Sequence, residues 1–354
     1  MITPFSGAGV RHPSLRAEIQ FALDAVRQAA LLVRQVQAEM VSPALTKGDR
    51  SPVTVADFAS QALVGHLLEQ AFPGVALVAE EDADALRVSE RKSVLQQVTS
   101  FVQRALLAAP QTKAFFTGDE AGLGKLVCDW IDRGRAEPGQ RFWTLDPIDG
   151  TKGFLRGEQY VVALALIEDG QVQVGVLGCP NLSDAGWPDL NGVGSLVAAV
   201  RGQGAWTASL TQPDGFQALH VSPKGEPPQA RILRSVERAH TNLDQIDEFA
   251  RALGVQAAPV SMDSQAKYAL LAAGQGDLYL RLLSPEKPDY REKIWDQAAG
   301  SLIIEEAGGQ VTDLYGKMLD FTTGRSLTNN RGILASNRLL HPAALAALSS
   351  VVGQ

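Results

Sequence analysis

Five acids in this chain, Asp57, Glu80, Asp146, Asp149 and Asp296, each fall at a junction between stretches that read as regular elements. Acids that serve only solubility scatter over solvated faces instead. Asp146 and Asp149 belong to the string Asp-Pro-Ile-Asp-Gly-Thr at 146–151. Pro147 fixes the backbone between them, and the loop can offer the Ile148 carbonyl as a further oxygen. An all-oxygen donor set selects magnesium, manganese or calcium over softer metals. Taken singly, each acid reads equally well as a helix cap or a turn residue. A loop that packs Pro, two acids, Gly and Thr into one turn after an apolar run has no obvious benefit to folding alone. Carboxylates that hold two or three divalent ions can neutralise a phosphoryl group, bridge a leaving oxygen and lower the pKa of a bound water, which is the chemistry of phosphate ester hydrolysis. Thr151, beside those acids, could hydrogen-bond that water and pass its proton to Asp57.

These residues need elements to carry them. Ile19, Leu23, Val26, Ala30 and Val33 recur at steps of four and three, which predicts an amphipathic helix from about Leu15 to Met40. The stretch Ser42 to Asp57 is interrupted by Pro43, Gly48 and Pro52, so a second helix is expected over Phe58 to Ala71 with Asp57 near its N-terminal end. The apolar run Val75 to Ala79 reads as a strand that delivers Glu80, Glu81 and Asp82 at its end. A helix is expected around Val94 to Ala109, and the polar tract from Thr117 to Gln140 reads as an elaboration. A strand Phe142–Leu145 leads into the acidic loop. Val161–Ile167 and Val172–Leu177 flank Glu168-Asp169-Gly170-Gln171, a strong hairpin signal. Beyond it, strands are expected near Ser195–Val200, Ile232–Ser235 and Leu278–Leu282, and helices near Leu243–Leu253, Ser264–Ala273 and Asp296–Ala307, the last closed by Gly308-Gly309.

Composition narrows the setting. The chain has 354 residues, 45% of them hydrophobic, and 33 glycines, a mixture suited to an α/β protein with a large core. Its net charge of −7 argues against a surface that tracks nucleic acid. Two cysteines far apart, Cys128 and Cys179, suggest neither a disulfide framework nor a thiolate metal site. Nothing reads as a secretory signal or a membrane span. The expectation is a cytoplasmic monomer, with organellar import left open, that engages neither nucleic acid nor membrane.

The acidic strand end Val78–Asp82, the loop Asp146–Thr151 and the pair Trp295-Asp296 together resemble the lithium-sensitive, magnesium-dependent phosphatase superfamily that includes inositol monophosphatase. Within it the chain is most similar to the 3′(2′),5′-bisphosphate nucleotidases. The strings that carry this are DPIDGTKGFLRGEQY (146–160), SPVTVADFASQ (51–61), DSQAKY (263–268), GDLYLRL (276–282) and EKIWDQAAG (292–300).

The resemblance implies an α/β protein, an α+β lobe plus an α/β lobe in a layered αβαβα fold. It suggests an N-terminal extension over 1–14, a lobe over 15–180 with most metal ligands, and a lobe over 181–354. It implies two to three magnesium ions: one held by Glu80, Asp146 and the Ile148 carbonyl, a second by Asp146, Asp149 and Asp296. Asp57 and Thr151 would activate water, while Thr151, His240, Ser264, Lys267, Arg281 and Asp296 would contact a small nucleotide. The implied reaction removes the 3′-phosphate of adenosine 3′,5′-bisphosphate, with its sulfated analogue as a second candidate substrate, in sulfate assimilation or sulfation. An inositol phosphate 1-phosphatase and a catalytically silent nucleotide-binding protein are the alternatives. Two departures stand out: Ala79 and Asp82 flank the Glu80-Glu81 pair where the family has Gly and Ser or Thr, and His240-Thr241-Asn242-Leu243 lacks the family's second histidine.

Overall fold

The structure, a computed structural model, describes residues 15–41, 51–108, 120–212, 215–236, 242–283, 287 and 289–351. Helices α1 (Arg16–Met40) and α2 (Ser51–Ala71) come first, followed by β1 (Ala76–Ala79), α3 (Lys92–Ala108) and α4 (Glu120–Asp132). Next are β2 (Arg141–Asp149), the short α5 (Thr151–Arg156), β3 (Val161–Glu168) and β4 (Gln171–Cys179). A small hairpin of β5 (Leu182–Ser183) and β6 (Trp187–Pro188) precedes β7 (Ser195–Val200), β8 (Gly204–Ser209) and β9 (Gln217–Ala218). Then come β10 (Ile232–Arg234), α6 (Leu243–Leu253), β11 (Val260–Ser261), α7 (Ala266–Ala272) and β12 (Leu278–Arg281). The chain closes with α8 (Ala298–Glu306), β13 (Gln310–Thr312), β14 (Ile333–Ser336) and α9 (His341–Val351).

Two sheets organise these elements. The first has seven strands in the order β1-β2-β3-β4-β7-β8-β9, and the second has five, β11-β10-β12-β14-β13. Strict alternation along the central strands gives the first sheet two buried faces. On β3, Val162, Leu164 and Leu166 face a core shared with α1, α2, α3 and α4, while Ala163, Ala165 and Ile167 face a core shared with α7 and α8. Small residues on the second face let α8 come close: a Cβ on Gly175 would lie 2.8 Å from the Ala299 carbonyl oxygen. The far side of the second sheet packs on α6 and α9 through Ile232, Leu278, Leu280, Phe249 and Leu348. The result is five layers, αβαβα, as the resemblance implied. The division expected at residue 180 falls inside the first sheet, since β7, β8 and β9 from beyond it complete that sheet.

The α1 stripe is buried throughout, and Asp169 and Gly170 both take positive φ (50° and 74°) in the β3–β4 turn, as a two-residue hairpin demands. Gly308, at φ 94°, follows α8. The second helix starts earlier than expected, at Ser51, because Pro52 occupies its first turn, where no donor is lost. Asp57 therefore sits in the second turn rather than at the N-terminal end. The tract read as a polar elaboration contains α4, whose Val127 and Ile131 are buried; glycines at 122 and 124 disguise its period.

A buried histidine stitches the last layer. His341 opens α9 at 1% exposure, with Nδ1 2.8 Å from the Ser336 hydroxyl of β14 and Nε2 3.0 Å from the Thr312 hydroxyl of β13. Burial pushes its imidazole down to about 4, from an ordinary value of 6.5. The folded state thus keeps it neutral where the unfolded chain takes up a proton, so stability is full above pH 6.5 and falls as pH drops towards 4. Between pH 7.5 and 5 this one residue accounts for about 2 kcal/mol. Urea unfolding of the native chain and of His341→Gln at both pH values should show the native chain's advantage shrinking by about that amount; a pH-independent difference would refute it.

Candidate active site

β1 and β2 are parallel neighbours, with Ala79 opposite Leu145. Glu80 therefore leaves the sheet at the same edge, and in the same direction, as the 146–149 segment of β2. There β2 carries a bulge: Asp146 pairs with Ala163 but Asp149 with Val161, so one extra residue is inserted. The missing donor of Pro147 is tolerated at such an irregularity, and the bulge re-aims both acids. Asp146 accepts from the Ile148 backbone N–H (3.1 Å), which tightens the turn. Gly150, in the left-handed region at φ 91°, then starts α5 with Thr151, and a Cβ on it would lie 2.9 Å from Ser264 Cβ.

α2 is tied to this edge by consecutive side chains. The Ser60 hydroxyl donates to the Pro147 carbonyl (3.1 Å). Gln61 donates to the carbonyls of Glu81 (2.6 Å) and Ile131 (2.8 Å) and accepts from the Glu81 N–H (3.0 Å). Asp57 lies one turn earlier on the same helix face, 5% exposed. The start of α7 supplies further support. The Gln265 N–H donates to Asp149 (2.5 Å), and its side chain accepts from the Gly300 N–H and donates to the Trp295 carbonyl. That fixes the segment carrying Asp296 against α7.

A cavity of about 230 Å³ results, lined by Glu80, Asp146, Ile148, Asp149, Thr151 and Asp296 together with Ser264, Lys267 and Arg281. Asp57 is buried beside it rather than in its lining, and makes no hydrogen bond with Thr151, which is exposed at the mouth. His240 lies outside the described residues. Tyr279, Tyr290, Ser235, Asp263 and Lys152 also line the cavity, and sequence reasoning missed them. For Asp263 a signal existed: it opens the DSQAKY string and pairs with Arg156 at the end of α5, fastening that helix to the cavity lining.

The electrostatics are those of like charges held together. Burial, then Glu80, Asp149 and Asp296, hold the Asp146 carboxyl well above the ordinary range. Burial and Asp296 push Glu80 up to about 8, although its side chain is the most exposed of the four and solvent screens part of that repulsion. Asp149 and Asp296 rise to about 6, mainly by burial, with Lys267 restraining the first and Arg281 the second. Burial and the nearby Glu81 and Glu80 raise Asp57 likewise. Burial lowers Lys267 to about 8, against the pull of Asp149; its ammonium donates to the Met262 carbonyl (3.0 Å) and lies 5.3 Å from the Tyr279 ring. Arg281 pairs with the buried Glu292 at 2.8 Å.

Would such a site accept a hard cation? Among the described residues no three acids are already drawn in around one point, and Asp146 stands within hydrogen-bond reach of Asp296. The donor chemistry nevertheless fits: every group is a carboxylate or carbonyl oxygen, and the mutual repulsion that raises these acids is what a divalent cation relieves.

Comparison with known proteins agrees with this geometry. The model of the inositol monophosphatase family matches residues 14–352. The chain is 41% identical over 351 residues to a 3′(2′),5′-bisphosphate nucleotidase of Schizosaccharomyces pombe, covering 96% of this chain and 97% of that one. It is 43% identical over 348 residues to one from Oryza sativa, covering 95% and 94%. Among solved structures, an inositol monophosphatase from Zymomonas mobilis aligns with a TM-score of 0.61 at 19% identity, over 96% of this chain and all of that one (100%). CysQ from Bacteroides thetaiotaomicron aligns at 0.58 and 18% identity, over 92% and 99%. These last two speak for the fold. With five layers, an acid-lined cleft at the shared edge of β1 and β2, and a family match from one end of the described chain to the other, the protein belongs to the inositol monophosphatase family.

Proposed function

We propose that this chain is a metal-dependent 3′(2′),5′-bisphosphate nucleotidase that hydrolyses the 3′-phosphate of adenosine 3′,5′-bisphosphate to AMP and phosphate, and accepts its 5′-sulfated analogue. The observation that carries the reading is a single cavity lined both by a cluster of acids and by Lys267 and Arg281. Such a cavity suits a ligand with two phosphates, one to be split at the acids and one to be held by the cations. The named relatives in fission yeast and rice support the same substrate.

Glu80, Asp146 and the Ile148 carbonyl would hold one magnesium ion, and Asp146, Asp149 and Asp296 a second. When bound, these ions supply charge neutralisation of the phosphoryl group and a water of lowered pKa. Thr151, at the start of α5, would orient the attacking water. Asp57, whose burial makes it a stronger base than an ordinary aspartate, would be the final acceptor of the proton, although it forms no hydrogen bond with Thr151 in this structure. The water oxygen forms the new bond to phosphorus, the bond from phosphorus to O3′ breaks, and O3′ leaves with a proton drawn from solvent. Ser264, Lys267 and Arg281, with His240, hold the nucleotide; Ser264 adopts a left-handed φ of 65°, a conformation costing about 1 kcal/mol or more that is tolerated at ligand-contacting walls.

Phosphate release should be followed with magnesium on adenosine 3′,5′-bisphosphate, its sulfated analogue, inositol monophosphate and inositol 1,4-bisphosphate. The nucleotides should be hydrolysed at least ~10-fold more efficiently, the margin that one charge-assisted contact provides. Faster release from the inositol phosphates would overturn the substrate and leave the family in place. Asp149→Asn should lower kcat by about 10³ or more with a native circular dichroism spectrum; retained turnover would remove Asp149 from the metal set. Lys267→Met should raise KM for the bisphosphate by roughly 10–100-fold and change kcat far less, because the lost contact is made equally in ground and transition states. A fall confined to kcat would place Lys267 at the split phosphate instead.

A further inference from the structure

Arg325 lies in the long connection between β13 and β14, far in sequence from every acid of the site. Its side chain crosses to the first sheet. One terminal nitrogen donates to the carbonyls of Gly134 (3.2 Å) and Ala136 (3.3 Å), and the other donates to the carbonyl of Ala79. Ala79 is the last residue of β1, joined by one peptide bond to Glu80. Gly134 already accepts from the Ala79 N–H (2.9 Å), so guanidinium and turn together grip both sides of the Ala79 peptide.

The same residue also holds the segment that carries Asp296. Its carbonyl accepts from the Ile294 N–H (3.2 Å), the Leu327 N–H donates to the Glu292 carbonyl (2.9 Å), and Lys293 and Ser326 form an antiparallel bridge between them. The guanidinium carbon lies 5.0 Å from the centre of the Trp295 ring, immediately before Asp296. Among the described residues Arg325 forms no ion pair, and the carboxylate of Glu137 acts on it only from beyond ion-pair distance. Its charge is directed at backbone carbonyls and one aromatic face, an arrangement that the planar fork of arginine permits and the point charge of lysine does not.

We infer that Arg325 is a positioning residue for the metal site: it sets the separation of Glu80 from Asp296 by clamping the residue before each. The inference rests on the proposal that these two acids hold metal. Partners of this outer kind typically change metal affinity by about 10–100-fold when removed, because the acids must then be gathered by the cation itself.

The test uses the full chain and magnesium alone, without substrate. The midpoint of magnesium-dependent thermal stabilisation is measured for the native protein, Arg325→Lys, Arg325→Met and His341→Gln, alongside the magnesium dependence of turnover. Both Arg325 variants should need roughly 10-fold or more magnesium to reach half of their stabilisation, and turnover should recover substantially at saturating magnesium. His341→Gln, destabilised elsewhere, should keep the native midpoint. Trp295→Leu, which leaves the donors of Arg325 in place, should shift the midpoint in the same direction and tests the clamp if the Arg325 variants fail to fold. Native midpoints in the Arg325 variants, whatever their melting temperatures, or in Trp295→Leu where only it folds, would overturn the inference. So would full rescue by lysine. A native protein that magnesium does not stabilise would overturn the metal reading first, and the inference with it.

Discussion

Repulsion among buried carboxylates is the constraint to which the rest of the molecule answers. Asp146, Asp149, Asp296 and Glu80 line a cavity of about 230 Å³, and each is driven above the ordinary range by loss of water together with the charge of the others. Left to themselves, such side chains would turn outward or take up protons. Backbone donors oppose this: the Ile148 N–H on Asp146 and the Gln265 N–H on Asp149 hold two of the four in place. Lys267, Arg281 and Lys293 oppose it by charge. A stable fold with this cluster needs rigid elements behind each acid, since flexible ones would relax the repulsion by moving apart.

The layered architecture supplies that rigidity. Making β1 and β2 parallel in an otherwise antiparallel first sheet sends Glu80 and the 146–149 segment out of one edge side by side. Parallel pairing needs a long crossover, and α3 and α4 lie within it. Asp296 comes from the layer beyond, so α8 must lie close to the first sheet, and Gly175, Ala163 and Ala165 permit that approach. Gly134 has a comparable part: a Cβ there would come within 2.4 Å of the Gln61 amide, the group that fastens Glu81 to α2. A residue without a side chain is thereby tied to the geometry of the acids.

Much of the site was legible in the sequence for a physical reason. The DPIDGT loop concentrates two acids, a fixed φ and a left-handed glycine into six residues, so its chemistry and its conformation are written in one place. Hydrophobic alternation and helical spacing likewise exposed α1, the β3–β4 hairpin and α8. What escaped is what depends on partners remote in sequence. Gln61, Gln265 and Arg325 act by bonding main-chain groups, and a main-chain group looks the same in any sequence. α4 escaped because its early glycines dilute the period, and the extent of the first sheet escaped because β7 to β9 continue past a boundary that no composition shift marks.

The cations of the cavity show the same logic in reverse. Arg281 is not an open cation awaiting a phosphate: Glu292, 3% exposed, pairs with it, Gln297 donates to Glu292 (2.9 Å), and the Tyr268 hydroxyl donates to Gln297. That chain of contacts runs from α7 through the residue following Asp296, so the orientation of Arg281 and the position of the last acid are set by one buried network. Among the described residues Lys267 has no carboxylate so close: Asp149 and Asp263 act on it from farther off, and it rests on the Met262 carbonyl and the Tyr279 ring. Two cations of like formal charge therefore offer different things to an anion. Arg281 brings direction, with its charge largely balanced in advance, whereas Lys267 brings charge that burial makes costly to keep and that an arriving phosphate would stabilise. Acids that want a cation and a lysine that wants an anion line one cavity, and a ligand carrying both a metal-binding phosphate and a second, uncleaved one satisfies both.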